Sequence, residues 1–244
     1  PKDVFYGLGY DSVNDDYKVV RMVQSTVDRS KERFRFPLEI KVFSLKRNSW
    51  KEIYVRSQNQ NLFVNFYYSL LYRRGNGVLA NNFLHWLLPL TEGYNVAFNT
   101  VIRFDLASEE LGVLCIPMDL ILEDHIDIGV LDGSMCLMRY KEFNHVDIWI
   151  MREYQVAAEV WPKLCRVPKP DGVESFKLLR PLLYSKDKTK ILLEINNAKN
   201  LMWFDLESKR FTRVGIKDCD SSYSTEIVVS SLVLGCNGDL PKKE

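Results

Sequence analysis

Val101-Ile102-Arg103-Phe104-Asp105-Leu106 is a short apolar alternation that a polar turn joins to Glu110–Leu114. Such alternation, broken by turn residues, is typical of antiparallel β-hairpins. Related hairpins occur at Ile40–Leu45 with Ser49–Ile53, at Asp147–Met151 with Glu159–Leu164, and at Met202–Leu206 with Arg210–Val214. Except in the hairpin that contains Trp149, the second apolar anchor follows the first by seven residues, as Trp50 follows Phe43. We interpret these hairpins as copies of one repeated element.

Each of these hairpins is preceded by another hairpin with a short polar turn. The earlier hairpins pair Phe5–Tyr10 with Tyr17–Val23, Val78–Ala80 with Phe83–Leu87, Ile128–Leu131 with Met135–Met138, and Leu182–Tyr184 with Lys190–Ile195. Asn81-Asn82 and Asp132-Gly133 lie at two of the turns, and both pairs tolerate the positive φ that tight hairpins need. Asp105 and Asp205, which end two strands, are predicted to hydrogen-bond the backbone of the turn that follows.

Four strands per repeat predict an all-β fold, a β-propeller-like (kelch-like) array of four-stranded antiparallel units. A β-sandwich whose hairpins resemble one another is the alternative. We expect one domain over residues 1–236 and a C-terminal tail at 237–244. Its units and closing strand are expected at residues 1–53, 78–114, 128–164, 182–214 and 226–234. Because the closing strand stands alone, the array is interpreted as one that sequence upstream of Pro1 can complete.

Composition excludes several classes of partner. The chain has 33 Lys and Arg residues against 32 acidic residues and a net charge of +1, so nucleic acid is not indicated. No apolar run approaches the roughly 18 residues that a membrane span requires. The five cysteines are widely separated and mostly lie in apolar stretches, which predicts buried thiols in a reducing compartment.

Residues that could carry chemistry are few. His85 lies in an alternating strand and is interpreted as a core residue, whereas His125 has no second ligand at metal-binding spacing. The acidic pairs Asp15-Asp16 and Glu109-Glu110 are expected to be solvated turn residues. No phosphate-binding loop or nucleophile motif occurs. We therefore predict no metal, no cofactor and no catalytic residue.

A partner is expected to bind at one edge of the array. In an antiparallel four-stranded unit, the turns between the first and second strands and between the third and fourth lie at one edge, and the other connections lie opposite. Long connections are predicted on that opposite edge, at Gln24–Leu38, Tyr54–Gly77, Leu88–Thr100, Ile116–Asp127, Arg139–Val146 and Cys165–Arg180. Aromatic and Arg residues there are of the types that form protein–protein hot spots, and acidic residues would orient a partner. The predicted partner-binding residues are Arg29, Arg33, Phe34, Phe63, Phe66, Tyr67, Tyr68, Arg73, Arg74, Tyr94, Glu123, Asp124 and Phe143.

One long segment, Gly7-Leu8-Gly9-Tyr10-Asp11-Ser12-Val13-Asn14-Asp15-Asp16-Tyr17-Lys18-Val19-Val20-Arg21, closely resembles the opening of the F-box-associated domain of plant F-box proteins. The later segments Ser44–Trp50, Leu84–Leu87, Phe104–Leu106 and Leu131–Tyr154 resemble the same family in the same order. The usual Ser-Trp of the third unit reads Val160-Trp161, and the last unit lacks some of the usual aromatic spacing. The resemblance covers nearly the whole chain.

The resemblance implies a role rather than a reaction. Such domains resemble the substrate-recognition part of ubiquitin ligases of the Skp–cullin–F-box (SCF) type, in which a target protein is held for ubiquitination and degradation. The resemblance also implies a Skp-type adaptor and a cullin, bound through an F-box upstream of Pro1, and a cytoplasmic or nuclear location. The alternative function is a carbohydrate- or small-ligand-binding propeller that uses Trp and Tyr stacking, for which an apolar central pocket would be the sign.

Overall fold

The computed structural model describes residues 2–25, 38–53, 76–92, 96–121, 125–142, 144–151, 161–173 and 176–215. Strands dominate these ranges. The first eight are β1 (Lys2–Asp11), β2 (Asp16–Ser25), β3 (Leu38–Ser44), β4 (Ser49–Ile53), β5 (Val78–Ala80), β6 (Phe83–Glu92), β7 (Val96–Asp105) and β8 (Leu111–Leu114). After helix α1 (Met118–Ile121) come β9 (Ile126–Leu131), β10 (Ser134–Lys141), β11 (His145–Ile150), β12 (Lys163–Pro168), β13 (Leu179–Tyr184), β14 (Lys190–Ile195), β15 (Asn197–Asp205) and β16 (Phe211–Arg213). None of the helices in the described ranges is long and apolar enough to cross a membrane.

The strands form four antiparallel sheets, each built from four strands in sequence order: β1–β4, β5–β8, β9–β12 and β13–β16. Simple meanders of this kind follow from short connections between neighbouring strands, because sequential strands usually pair. All eight hairpins predicted from the sequence are present, although the last strand of the third sheet begins at Lys163 rather than Glu159. The closing strand expected at 226–234 and the tail at 237–244 lie outside the described residues.

The packing of the sheets confirms the propeller-like prediction over the sandwich. The first strands β1, β5, β9 and β13 contact one another in series, as the inner strands of neighbouring blades do. Three buried cores separate the first sheet from the second, the second from the third, and the third from the fourth. A sandwich would instead have two sheets around one core.

The turns adopt the backbone conformations that their residues predicted. Asn81 and Asn82 have φ values of 49° and 67°, and Asp132 and Gly133 have φ values of 52° and 78°. Positive φ at both central residues matches a two-residue hairpin turn to the twist of its strands. The prediction for these two turns is therefore confirmed.

The predicted role of the strand-ending aspartates is also confirmed. Oδ1 of Asp105 accepts hydrogen bonds from the backbone N–H of Ala107 at 2.7 Å and of Ser108 at 3.3 Å. Oδ1 of Asp205 accepts the corresponding bonds from Glu207 at 3.1 Å and Ser208 at 2.8 Å. The aspartate thus satisfies turn N–H groups that have no partner in a strand.

This geometry gives a testable expectation at the last turn. Replacing Asp205 by Ala removes the acceptor for two N–H groups and should lower the urea concentration at the unfolding midpoint. Asp205→Asn keeps an acceptor oxygen and should retain most of that stability. Urea unfolding of the two variants measures the difference, and equal losses would show that the hydrogen bonds contribute nothing.

The seven-residue spacing of apolar anchors has a simple structural cause. Phe43 pairs directly with Trp50, and Phe204 with Phe211, across the turn between the third and fourth strands. Their rings lie 5.3 Å and 5.0 Å apart, within the range of favourable aromatic contacts. The third sheet departs from the pattern, because Trp149 pairs with Lys163 across an irregular register.

The connections divide the array into two edges, which we call the turn rim and the loop rim. The turn rim carries the turns between first and second strands and between third and fourth strands, such as 12–15, 45–48 and 107–110. The loop rim is the opposite edge, where β10 ends and β11 begins and where β12 ends and β13 begins. Two predicted long connections on the loop rim are short: β6 and β7 pair as far as Glu92 and Val96, and β10 and β11 as far as Lys141 and His145. The predictions for Leu88–Thr100 and Arg139–Val146 were wrong because strand pairing continues beyond the segments of regular apolar alternation.

Candidate functional site

The thirteen predicted partner-binding residues all fall outside the described residues. They are Arg29, Arg33, Phe34, Phe63, Phe66, Tyr67, Tyr68, Arg73, Arg74, Tyr94, Glu123, Asp124 and Phe143. Their assignment to a partner remains a prediction. The described part of the loop rim, however, contains a charged cluster that the sequence reasoning missed.

The cluster is centred on the carboxylate of Asp147, which is fully buried in β11. Across the sheet Asp147 lies between Arg139 on β10 and Arg166 on β12, and Lys163 begins β12. Oδ1 accepts hydrogen bonds from Arg166 Nε at 2.7 Å and is paired with Lys163 Nζ at 2.9 Å. Oδ2 accepts bonds from Nη2 of Arg139 at 3.0 Å and of Arg166 at 3.2 Å. We call these four residues the Asp147 cluster.

The β-strand period explains why these side chains meet. Residues two apart in a strand share a face, so Arg139 lies beside Leu137, and Asp147 lies beside Trp149. Leu137 and Trp149 belong to the core between the second and third sheets. The Asp147 cluster therefore continues that core towards the loop rim, where the turn at 142–144 follows.

An aromatic ring helps to place two of the cations. The guanidinium of Arg139 lies 5.0 Å from the ring centroid of Trp149, and the ammonium of Lys163 lies 5.4 Å from it. Cations within about 6 Å of an indole face are attracted by its quadrupole. Trp149 thus contributes to positioning both cations beside the carboxylate.

The electrostatics of the cluster keep its acid ionised. Burial alone would raise the pKa of Asp147, but hydrogen bonds from Arg166, Lys163 and Arg139 outweigh burial and hold that pKa well below its usual range. His145 lies two residues earlier on the same face, and its pKa is lowered by desolvation and by the nearby charge of Arg166. A neutral His145 beside cations is the expected response to positive potential. Three cations therefore contact this one buried carboxylate.

A second charged cluster, at the turn rim, is balanced instead. Lys18 is 6% exposed and pairs with Asp11 and Glu109, each at 3.0 Å. Lys51 pairs with the other oxygen of Glu109 at 2.6 Å. Two cations therefore meet two carboxylates, and the Lys18 ammonium also donates to the backbone oxygen of Leu106 in the second sheet at 2.6 Å. This arrangement joins the first two sheets and is structural.

The expectation of solvated acidic pairs was wrong for two residues. Glu109 is in the turn-rim cluster, and Asp16 is 6% exposed. Asp16 accepts a hydrogen bond from the Ser44 hydroxyl at 2.5 Å and from the Lys46 backbone N–H at 2.8 Å. Asp16 and Glu109 contact residues on neighbouring strands or sheets, and sequence spacing does not show such contacts.

The remaining candidates for chemistry are accounted for by the fold. His85 is fully buried, and burial lowers its pKa to about 4, so it is a neutral core residue as predicted. In the described ranges no three His, Cys, Asp or Glu residues are placed to hold a metal ion. Cys136 and Cys165 are buried thiols as expected, and burial raises the pKa of Cys165 to about 11. The exposed Cys115 contradicts the expectation of burial.

A shallow groove lies beside the first strand. It has a volume of about 280 Å³ and is lined by Tyr6, Gly7, Leu8, Val19, Asn76 and Gly77. Ligand pockets usually enclose about 300–1,000 Å³ and converge several polar groups on the ligand. This open groove, lined mainly by apolar side chains and glycines, does not favour the small-ligand alternative.

The sequence indicates which residues share a face with Asp147, but the strand register is needed to show which of them stand opposite one another. Basic residues alternate in Arg139-Tyr140-Lys141, and polar residues alternate with apolar ones in His145-Val146-Asp147. Such alternation places the polar residues on one face of each strand. Which residues stand opposite each other depends on a pairing across β10, β11 and β12 that spacing alone does not supply.

Comparison with known proteins gives consistent matches. Residues 1–234 match the family model described as F-box associated beta propeller domain. The chain is 58% identical over 236 residues to F-box protein At4g22390 and 57% identical over 241 residues to F-box protein CPR1, both from Arabidopsis thaliana. Each alignment covers 97% of this chain and 58% of the relative, so the chain spans less than two thirds of their length. F-box/kelch-repeat protein At3g23880 of the same plant is 26% identical over 212 residues, covering 85% of this chain and 50% of the relative.

Proposed function

Because the chain belongs to the family of F-box-associated β-propeller domains, we propose that it is the substrate-recognition domain of an SCF-type ubiquitin ligase. In this proposal it binds a target protein that is then ubiquitinated and degraded. The observation that carries the proposal is the family match over residues 1–234, together with relatives that are named F-box proteins.

The architecture supports binding rather than chemistry as the task of this domain. Four sheets with apolar cores between them form a scaffold, and the described strands that flank the connections between sheets end and begin at the loop rim. Recognition residues usually lie on loops that a rigid scaffold positions. We propose that the domain is a non-catalytic adaptor and that the thirteen predicted residues contribute to target binding.

The wider assembly is part of the same proposal. A Skp-type adaptor and, through it, a cullin would bind the F-box of the whole protein, and the target would bind this domain. The buried thiols of Cys136 and Cys165 suit a reducing compartment, so we place the complex in the cytoplasm, the nucleus or both.

Affinity purification tests the proposal. The full-length protein and a form that lacks residues 1–244 are expressed in plant cells with the same tag, and bound proteins are identified by mass spectrometry. Both forms should retain the Skp-type adaptor, and only the full-length form should retain a further protein whose abundance rises when the proteasome is inhibited.

The deletion also provides the control. Retention of the adaptor by the shortened form shows that its F-box is folded, so loss of another protein can be assigned to this domain. If no retained protein depends on residues 1–244, the substrate-recognition proposal is contradicted.

A further inference from the structure

The Asp147 cluster contains more positive charge than its buried acid requires. A buried carboxylate needs compensation by a cation and hydrogen bonds, and Arg166 alone supplies two hydrogen bonds to Asp147. Arg139 and Lys163 also contact the same carboxylate. Among the described residues Lys163 and Arg166 each form an ion pair with Asp147, and one carboxylate does not balance two cations.

Two of the cations are accessible to a partner. The side chains of Arg166 and Lys163 are 56% and 40% exposed, whereas Asp147 beneath them is inaccessible. Arg166 uses Nε and Nη2 on Asp147, and its Nη1 makes no hydrogen bond with a described residue. Lys163 has three N–H donors, and its ion pair within the described residues is with Asp147. The carboxylate thus holds both cations in place while donor groups remain directed to solvent.

Preorganisation makes this arrangement suited to binding. Long basic side chains normally lose rotamer freedom when they bind, and this loss of entropy opposes binding. Here Asp147 and the ring of Trp149 already restrict Lys163, and a two-bond contact with Asp147 restricts Arg166. Lys163 and Arg166 therefore lose less rotamer freedom when they bind an anion.

We propose that Lys163 and Arg166, held by Asp147 across β11 and β12 of the third sheet, bind a carboxylate-rich segment of the target polypeptide. The inference rests on the proposed function and adds the chemistry of the target. Guanidinium and ammonium groups form charge-assisted hydrogen bonds with carboxylates. A nucleic-acid partner is disfavoured because the chain as a whole carries a net charge of only +1.

The test uses the full-length protein bound to its Skp-type adaptor and a fluorescein-labelled oligo-glutamate peptide as the probe. Fluorescence anisotropy measures the dissociation constant for the wild type and for the Lys163→Gln/Arg166→Gln variant. Loss of two charge-assisted contacts should weaken binding by about tenfold or more. Binding by the wild type should also weaken as salt is added, because the contacts are partly exposed.

A matched variant controls for the change in net charge. Lys46→Gln/Arg47→Gln also removes two positive charges, but from the exposed turn at 45–48 on the turn rim. Its affinity for the peptide should stay within about twofold of the wild type, since a small change in distant charge is largely screened. Equal weakening by the two double variants would overturn the inference, and so would absence of peptide binding by the wild type.

Two further measurements keep the outcome interpretable. Thermal unfolding checks that the Lys163→Gln/Arg166→Gln variant folds. If that double variant does not fold, the single Lys163→Gln variant replaces it and should weaken binding by about threefold. Inorganic phosphate at the concentration of the peptide should displace little of it, and complete displacement would reveal a simple anion site and overturn the polypeptide assignment.

The experiment separates this inference from the proposed function. If the affinity purification finds a protein that depends on residues 1–244 but the oligo-glutamate peptide does not bind, the acidic-segment inference fails and substrate recognition stands. If the peptide binds through Lys163 and Arg166 but no protein depends on the domain, the cationic site stands as a peptide-binding site and the ligase role fails.

Discussion

Gly77→Ala is expected to lower the free energy of unfolding by about 1–3 kcal/mol, the usual cost of overpacking a core. A Cβ atom on Gly77 would lie 2.5 Å and 2.6 Å from ring atoms Cε2 and Cζ2 of Trp86. The ring is 3% exposed and belongs to the core between the first two sheets, and its Nε1 donates to the backbone oxygen of Tyr6 at 3.3 Å. Because the same oxygen accepts a bond from the Gly77 N–H at 2.7 Å, neither the ring nor the backbone can move without losing a contact.

A double-mutant cycle identifies the cause of that loss. Trp86→Ala alone should cost about 3–5 kcal/mol, as for other buried aromatic residues. In the Trp86→Ala background the added methyl group of Gly77→Ala meets no ring, so its further cost should be close to zero. The coupling between the two substitutions should therefore be about 1–3 kcal/mol.

Gly215→Ala is the matched control for this cycle. A Cβ atom on Gly215 would meet no atom of a described residue within 4 Å, so that variant should unfold like the wild type. Chemical denaturation of the four forms in the cycle and of the control supplies all the free energies. Equal costs for Gly77→Ala with and without Trp86 would place the origin in the backbone rather than in contact with the ring.

Local features of this fold could be predicted because local physics determines them. The Asn81-Asn82 and Asp132-Gly133 turns need positive φ, and few residue types adopt it readily. Asp105 lies within hydrogen-bond reach of the turn that follows it, whatever the rest of the chain does. Hairpins built on such turns repeat through the sequence, and repetition at one length scale indicates blades.

Strand length was harder to predict than strand identity. β10 and β11 continue to Lys141 and His145, and β6 and β7 continue to Glu92 and Val96. In β10 and β11 the extensions contain mainly polar and charged residues, whereas in β6 and β7 the extensions contain Pro89 and lack regular apolar alternation. A pattern that relies on apolar alternation therefore ends each strand too early and assigns the remainder to a loop.

Contacts between distant residues were the main feature that sequence spacing could not supply. Lys18 and Glu109 are 91 residues apart in the chain, and their ion pair depends on how the first sheet packs on the second. Asp147 and Arg166 are 19 residues apart and meet through the register of β11 and β12. The composition shows nearly equal numbers of basic and acidic residues, 33 and 32, but it cannot show where in the structure one charge is in excess.

The two charged clusters illustrate how one fold separates stability from binding. At the turn rim, two cations and two carboxylates cancel, and the most buried ammonium lies between sheets. At the loop rim, three cations share one carboxylate, and two of them remain exposed. In a buried cluster, equal numbers of positive and negative charges are favoured, because an unpaired buried charge is costly. Surplus charge at an accessible rim instead provides long-range attraction for a partner of opposite sign.

Lys18→Met should therefore be among the most destabilising substitutions of a charged residue in the described part of the chain, at about 3 kcal/mol or more near pH 7. The change leaves Asp11, which is fully buried, without its cation, and breaking one side of a buried ion pair typically costs about 3–5 kcal/mol. Lys46→Met is the control, since the exposed Lys46 ammonium contacts only the backbone oxygen of Asn14 among described residues. That variant should remain within about 0.5 kcal/mol of the wild type.

The loss caused by Lys18→Met should also depend on pH in a definite direction. In the wild type, burial would raise the pKa values of Asp11 and Glu109, but hydrogen bonds, including those from Lys18, lower both below the ordinary values of 3.8 and 4.5. A depressed folded-state pKa contributes stability that is present above the unfolded pKa and is lost as pH falls through the folded pKa. Without Lys18, fewer hydrogen bonds oppose the effect of burial, so the folded-state pKa values of Asp11 and Glu109 rise. Protonation of these acids then removes the unpaired negative charge that destabilises the variant.

Urea unfolding from pH 7 down to about pH 3 should show the stability curves of the wild type and of Lys18→Met converging as the acids protonate. A deficit that stays constant over that range would attribute the loss to the packing of the Lys18 side chain instead of its charge.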